Sequence, residues 1–476
     1  MQISLIAILH FVAALMVVLR VLTRPRIEPS VRLAWIMIVE ALPLVGIIAY
    51  FLFGEVRIAQ AERQRAADVR ARLSGMWTPS PQALGDPPEW MQPVTATAHA
   101  VGGMVPVEGN VIHLGPEGDD AFDDMIAAIA QAQAHIHILF YIWLDDTTGR
   151  RLAGAIASAA ARGVRCRVVV DAVGSRRFTR SKAWAGMRDA GAEMVTAMPT
   201  GFPLLGALSR RLDLRNHRKV VVIDNRIGFS GSRNAADMAF AVKRRYAPWV
   251  DVWFSFEGPV VRQMQSVFLA DWMSYTGDDL GRKLLDTMPP AATPGATAQV
   301  VATGPDMRAG SISDCIIAIL AAARHKAVIT TPYYVPNAAL DSAMQACARR
   351  GVEVTLILPE RNDSLLVGAT SEGFYQGLLR AGVRLMLFRP GLLHAKLATV
   401  DGRIAMLGSG NLDRRSFDLN YEMNILLFDK AATAEIDARQ KSYLERSRVL
   451  TLAEVDGWPR WRRIRNNTLA LATPLL

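Results

Sequence analysis

Residues 217–234 read HRKVVVIDNRIGFSGSRN, and residues 394–411 read HAKLATVDGRIAMLGSGN. From each histidine, Lys stands at +2, Asp at +7, Gly at +14, Ser at +15 and Asn at +17. Six residue types repeated in one register mark an internal duplication, and a duplication fixes the architecture before any single element does. Matching runs precede both copies. A helix ends near Ala134 or Arg324, a strand follows (IHILFYIW or AVITTPYYV), then another helix, then a Gly-Val step into GVRCRVVVDAVG from Gly163 or GVEVTLILPE from Gly351. Strands alternating with helices predict an α/β fold of two similar halves, each on a mainly parallel sheet.

Within each motif a β-branched strand follows the histidine, and residues two apart share a face. His217 and Lys219 therefore point one way, as do His394 and Lys396, whereas Asp224 and Asp401 have the opposite parity. Asp224-Asn225 and Asp401-Gly402 read as tight hairpin turns, which makes the aspartates structural partners rather than direct reactants. The return strands bring Gly231-Ser232 with Asn234, and Gly408-Ser409 with Asn411, back beside the His and Lys. A point charge, neutral donors and close-approach glycines suit a phosphate and the extra negative charge of its transfer. Two copies let one histidine attack phosphorus while the other protonates the leaving oxygen. An imidazole so used needs an acid to orient its other nitrogen. Asp251 in PWVDVWF and Glu422 in LNYEMNILLF are the candidates, with a core salt bridge as the alternative.

The chain has 476 residues, 51% hydrophobic and 21% charged, with formal net charge +10. That composition excludes long-range disorder and suits an anionic partner, either nucleic acid or an acidic lipid surface. Cys166, Cys315 and Cys347 are too dispersed for a disulfide framework or a zinc site, and no metal or cofactor is expected. His135 and His137 sit in an apolar alternating run and read as ordinary strand residues.

Ile3 to Leu19 carries no formal charge, and Leu33 to Gly54 carries only Glu40. Each run is near the roughly 20 residues of a spanning helix. The start MQIS and the absence of a cleavage site favour a retained anchor over a signal peptide. Two spans joined by about ten residues predict a transmembrane helical hairpin, with Pro43 and Gly46 kinking the second helix or leaving it re-entrant. Glu40 is costly in hydrocarbon and is expected to face the partner helix or a headgroup, or to be protonated. Arg20, Arg24, Arg26 and Arg32 in the connecting loop nearly balance Arg57, Arg63, Arg65, Arg70 and Arg72 downstream. On that near tie the body is expected on the cytoplasmic side. A charged helical stretch, Glu55 to Arg72, and a linker from about Ser74 to Pro93 follow. The expected organisation is 1–54 hairpin, 55–100 charged helix and linker, 101–290 first half, and 291–476 second half with tail; MPPAATPGAT from Met288 joins the halves near Pro294.

At the paired motifs the sequence resembles the phospholipase D superfamily, whose signature is HxKxxxxD followed by a GG or GS step and Asn. The FSGSRN of the first copy departs from a frequent Gly-Gly step. More narrowly it is similar to bacterial cardiolipin synthases of the two-span type, through WIMIVEALPLVGIIAYFLFG, YYVPN from Tyr333, GSGNLDRRSFDLNYE from Gly408 and the terminal TPLL. The resemblance implies transphosphatidylation. A histidine attacks phosphatidylglycerol, glycerol leaves, and a second phosphatidylglycerol takes the phosphatidyl group from the phosphatidyl-histidine. It implies catalytic His217, Lys219, Asp224, His394, Lys396 and Asp401, with Ser232, Asn234, Ser409 and Asn411 lining the phosphate site. His217 is assigned as nucleophile and His394 as acid. It also implies a multi-pass bacterial inner-membrane location, with no nucleic-acid partner. The stretches GFPLLGALSRRLDLRNHRK from Gly201 and FRPGLLHAK are expected as core, loop or bilayer-surface contacts, and Trp461, Arg462 and Arg463 as an attraction to anionic lipid. A phospholipase D using water, a synthase taking phosphatidylethanolamine as donor, and a nuclease share the motif; a nuclease does not explain the anchor, and a nonenzymatic scaffold does not explain two intact motifs.

Overall fold

The computed structural model describes residues 5–24, 29–42, 44–76, 80–199, 211, 213–308 and 310–470. Most of the stretch from Gly201 and the terminal TPLL lie outside those residues. The first half contributes strands β1 (Val107–Leu114), β2 (His135–Phe140), β3 (Arg165–Asp171), β4 (Glu193–Ala197), β5 (Val220–Ile223), β6 (Ile227–Gly231) and β7 (Trp253–Glu257). The second contributes β8 (Ala296–Thr303), β9 (Lys326–Thr330), β10 (Glu353–Pro359), β11 (Arg384–Phe388), β12 (Leu397–Val400), β13 (Ile404–Gly408), β14 (Asn420–Phe428) and β15 (Ser447–Leu450).

They form one sheet in the order β15-β11-β10-β9-β12-β13-β14-β8-β1-β7-β6-β5-β2-β3-β4. The halves join where β1 pairs antiparallel with β8. The mainly parallel sheet expected from the sequence is replaced by a mixed one. Among these fifteen strands, parallel pairing is confined to β2-β3-β4 and β9-β10-β11, joined by crossover helices such as Thr147–Ala161 and Ala338–Arg349. Each motif is itself a hairpin, β5-β6 or β12-β13, so the chain must return antiparallel through the sheet centre. Asp224 and Asn225 have φ of 52° and 53°, and Asp401 and Gly402 have 51° and 63°, the positive values that tight hairpin turns need.

Apolar side chains fill both faces of the sheet. Helix Val260–Thr276 is buried along nearly its whole length against the central strands, which explains its lack of a polar stripe. His137 lies in this core, stacked on Phe268 and hydrogen-bonded to Gln265, so the pair His135 and His137 are strand residues as the sequence suggests. The three cysteines are buried and unpaired.

At the N-terminus, α1 (Leu5–Thr23), α2 (Pro29–Ala41) and α3 (Val45–Phe53) pack around Ala14, Val17, Val21, Trp35, Val39 and Tyr50. The second apolar run is not one helix. It stops at Ala41 and restarts at Val45, with Leu44 at φ 59°, and Tyr50 returns to Trp35 with ring centroids 5.4 Å apart. Glu40 is exposed at the end of α2 instead of facing α1. Among the described residues, no helix is long and apolar enough to cross a membrane. A fourth helix, α4 (Gln60–Gly75), packs on Val260–Thr276 through Val69 and Leu73, and Arg70 pairs with Asp306 at 2.5 Å.

Candidate active site

The two histidines are held by the opposite halves. Strand Arg215–Asn216 pairs in parallel with Asn420–Tyr421, and the His217 N–H donates to the Tyr421 carbonyl at 2.9 Å. Reciprocally, Leu392–Leu393 pairs with Trp249–Val250, and the His394 N–H donates to the Val250 carbonyl at 2.7 Å. These exchanges put each carboxylate beside the other half's imidazole. Nδ1 of His217 lies 2.9 Å from Glu422, and Nδ1 of His394 lies 2.7 Å from Asp251. Facing a carboxylate, Nδ1 is the proton-bearing nitrogen, so Nε2 keeps its lone pair for chemistry.

Both carboxylates accept from further donors. Glu422 accepts from Ser409 at 2.5 Å, Ser416 at 2.9 Å and Asn420 at 3.2 Å, and Asp251 accepts from Ser232 at 2.6 Å. Ser232 and Ser409, expected on the phosphate, thus spend their protons on the orienting acids. The preceding glycines permit this approach. A Cβ on Gly231 would stand 2.3 Å from the Val252 carbonyl, and one on Gly408, whose φ is 153°, 2.4 Å from that of Met423. Only glycine lets the return strand lie that close to the strand carrying the acid. Asn234 accepts from the Ile142 N–H at 3.3 Å, which leaves its amide nitrogen for a ligand, while the Asn411 amide reaches Asp413 at 3.4 Å.

Lys219 and Lys396 are buried, each ammonium donating to the carbonyl of its own histidine, at 2.7 and 2.5 Å. Burial pushes Lys219 down to about 7 and Lys396 down to about 8, against the opposing pull of Glu422 and Asp251. Their positive charges also weigh on each other, which places both motifs round one concavity. Burial pushes His217 down to about 4, with Glu422 opposing, and lowers His394 likewise. Burial alone would raise Asp251 and Glu422. Their histidine and lysine neighbours outweigh it and hold both below the usual carboxylate range.

Asp224 and Asp401 lie elsewhere. Asp224 accepts the N–H groups of Gln133, Ala134 and His135, and Asp401 those of Arg324, His325 and Lys326, all at 2.8 Å. Each clamps the start of the neighbouring strand. These contacts set both aspartates apart from the histidines and lysines, in line with their parity in the sequence.

Two aromatic walls escaped the sequence reading. Tyr141 lies edge-on to His217 at 4.8 Å and carries Lys219 5.4 Å above its ring, and Trp249 lies 4.8 Å from His394. Both stand in apolar runs, where nothing separates them from core residues. Behind the His217 segment a cavity of about 570 Å³ opens between α4 and helix Val260–Thr276, lined by Arg65, Arg215, Arg218, Tyr275 and Tyr421, and neither histidine reaches it. Among the described residues, no group of three or more His, Cys, Asp or Glu side chains could hold a metal ion.

Residues 125–272 and 316–443 match the family described as cardiolipin synthase, PLD-like domain, once for each half. Residues 11–55 match the phospholipase D-nuclease N-terminal family. The chain is 36% identical over 474 residues to cardiolipin synthase A of Edwardsiella ictaluri, covering 97% of this chain and 96% of the relative. It is 35% identical over 478 residues to cardiolipin synthase A of Pectobacterium carotovorum, with the same coverage. The phosphatidylserine synthase of Haemophilus influenzae superposes with a TM-score of 0.60 at 14% identity, covering 81% of this chain and all of that one, a likeness of fold.

Proposed function

The chain belongs to the cardiolipin synthase family of phospholipase D-like phosphatidyltransferases, and from that premise we propose that it transfers a phosphatidyl group between two phosphatidylglycerol molecules, giving cardiolipin and glycerol. The observation that carries the chemistry is the pair of buried His–carboxylate contacts exchanged between the halves. Two oriented imidazoles on a pseudo-symmetric site can serve opposite sides of one phosphorus, which a single motif cannot.

In the proposed cycle the phosphodiester enters between Lys219 and Lys396, which balance its charge. Nε2 of His217, neutral because burial keeps its pKa low, attacks phosphorus. The bond from phosphorus to the glycerol oxygen breaks, and His394 delivers a proton to that oxygen. The arriving negative charge favours the protonated imidazole that this step needs. His394 then takes the proton from the hydroxyl of the second phosphatidylglycerol, which attacks the phosphatidyl-histidine and frees His217. Asp251 and Glu422 act as positioning residues, Asn234 and Asn411 as donors to the phosphate, and Asp224 and Asp401 as clamps on the fold.

The division 1–54, 55–100, 101–290 and 291–476 serves this scheme, the first segment holding the body at its lipid substrate. The large apolar side chains exposed on the N-terminal helices, Phe11 at 66% and Met16 at 60% among them, support placing that segment in the bacterial cytoplasmic membrane; the body is proposed on its cytoplasmic side.

The acceptor decides between synthase and hydrolase. Water at tens of molar loses only if the site positions the lipid hydroxyl, for which effective molarities reach about 10⁵ M or more. Purified enzyme with phosphatidylglycerol as sole lipid should yield cardiolipin and free glycerol in equal amounts with little phosphatidic acid, read by lipid mass spectrometry. Mainly phosphatidic acid would make the enzyme a hydrolase, and ethanolamine release from an added phosphatidylethanolamine would make that lipid a donor.

A further inference from the structure

The near tie between the basic flanks of the two apolar runs turns on how the second run folds. Trp35 and Tyr50 are 15 residues apart, about 22 Å along a continuous helix, yet their rings meet at 5.4 Å. Gly46 makes the return possible: its Cβ position lies 2.3 Å from the Ile38 carbonyl and 2.8 Å from the Val39 Cα, so any larger residue would drive α3 off α2. The 13 residues of α2 rise about 20 Å, against a hydrocarbon core of about 30 Å.

The two ends of the module then meet at one carboxylate. Glu55, just past α3, accepts from Arg20 at 2.6 and 2.9 Å and from the Tyr50 hydroxyl at 2.6 Å, and pairs with Arg24 at 2.7 Å. Arg20 and Arg24 lie at the C-terminal end of α1, so the outlet of α1 and the outlet of α3 stand at one level. Arg32 joins them, donating to the Arg24 carbonyl at 2.8 Å, and Arg57 lies 5.8 Å over Phe51. Glu55 pairs with two of these four guanidinium groups, Arg20 and Arg24. Nε of Arg32 and both Nε and Nη2 of Arg57 are buried with no acceptor among the described residues. Buried cationic donors without an acceptor call for an anionic one.

We propose that α2-α3 is re-entrant, entering and leaving the bilayer on one face, so that Arg20, Arg24, Arg32 and Arg57 form a collar that takes the phosphate of an anionic phospholipid in the leaflet facing the body. The inference rests on the bilayer placement above and deepens it. The arginines that cancel when assigned to opposite sides now add on one side, while residues 1–19 and 33–54 hold no Lys or Arg at all. The charge rule then puts the collar and the body in the cytoplasm. A lipid held there would sit beside α4, the element that leads into the catalytic body.

Because Cys166, Cys315 and Cys347 are buried, single reporter cysteines in the full chain can be read with a membrane-impermeant maleimide. Pro29→Cys and Val56→Cys should label together in inside-out vesicles and neither in spheroplasts, with Leu44→Cys silent in both. Labelling of Pro29→Cys and Val56→Cys from opposite faces, or of Leu44→Cys from the face opposite them, would overturn the re-entrant fold. Joint labelling in spheroplasts would overturn the leaflet. Release of the wild-type chain by alkaline carbonate would instead sink the bilayer placement itself. For the collar, phosphatidic acid, which lacks a headgroup alcohol, serves as the probe in native mass spectrometry of detergent-purified enzyme. Arg32→Gln and Arg57→Gln should each weaken its retention by about fivefold, the effect of one basic residue at an anionic surface. Retention unchanged in the double variant would remove the lipid phosphate from the collar.

Discussion

Nδ1 of His217 stands 2.9 Å from Glu422, 205 residues further along the chain, while Nδ1 of His394 stands 2.7 Å from Asp251, 143 residues earlier. Each half therefore aims the other half's imidazole. The short parallel pairings of Arg215–Asn216 with Asn420–Tyr421 and of Leu392–Leu393 with Trp249–Val250 enforce the exchange through the backbone. A shift of one half against the other would misdirect both imidazoles at once, which makes the β1–β8 seam part of the geometry proposed for catalysis.

Glu422→Gln and Asp251→Asn keep side-chain shape but lose the charge that steadies a cationic ring. Each should lower kcat by roughly 10⁴-fold with KM little changed, by analogy with removal of the carboxylate from other His–carboxylate pairs. Glu422→Gln should also lower Tm more than Asp251→Asn does, because Glu422 serves three further donors and Asp251 only one. Steady-state kinetics and thermal melts check both, and a loss of kcat below tenfold would remove the positioning role.

The division of labour between the histidines is separable by the leaving group. His217→Ala and His394→Ala should both abolish turnover of phosphatidylglycerol. A phosphatidyl ester of p-nitrophenol needs no proton on departure, so it should restore release of p-nitrophenol to His394→Ala but not to His217→Ala. The opposite pattern would exchange the two roles.

The repeat made the duplicated body and the His and Lys pairs legible, because their spacing alone sets parity. It did not show which carboxylate serves which histidine. Asp251 and Glu422 each follow their own half's histidine in sequence, and the exchange exists only through long-range pairing of two-residue strands, which carry no periodic signal. The antiparallel centre of the sheet was hidden behind helix–strand alternation, although the Asp224 and Asp401 turns already implied it. Pro43 and Gly46 pointed to a break in the second apolar run. Apolar content alone could not say that Tyr50 folds back on Trp35.

Asp224 and Asp401 should report on stability. Each takes three backbone N–H groups, and hydrogen bonds to a charged group contribute about 1.5–3 kcal/mol. Asp224→Asn or Asp401→Asn should lower the unfolding free energy by about that amount while the folded fraction keeps its kcat. Both carboxyls are held below their usual value by those N–H groups despite burial. Their contribution is therefore present above the ordinary carboxylate pKa and lost as pH falls through the lowered one. Denaturant melts with active-site titration test this, and normal stability with lost turnover would return the aspartates to the chemistry.

Activity and stability should part company as pH rises. Below about 4 His217 is protonated and cannot attack; above about 7 Lys219, and above about 8 Lys396, lose the charge that receives the phosphate. The pH profile of kcat/KM in micelles should be a bell whose falling limb begins as His394, lowered by burial, loses its proton and continues through 7 to 8 as the lysines lose theirs. Stability has the other sign. Lys219 titrates near 10.5 when unfolded and near 7 when folded, so between those values the unfolded chain binds more protons and stability rises with pH. Thermal melts from pH 7 to 9 should therefore climb on the lysine contribution while kcat/KM falls, and Lys219→Met should flatten that climb and raise Tm at pH 7 while abolishing turnover. A kcat/KM that stayed level to pH 9, or a Lys219→Met enzyme less stable than wild type at pH 7, would show that the ammonium is not buried at a cost.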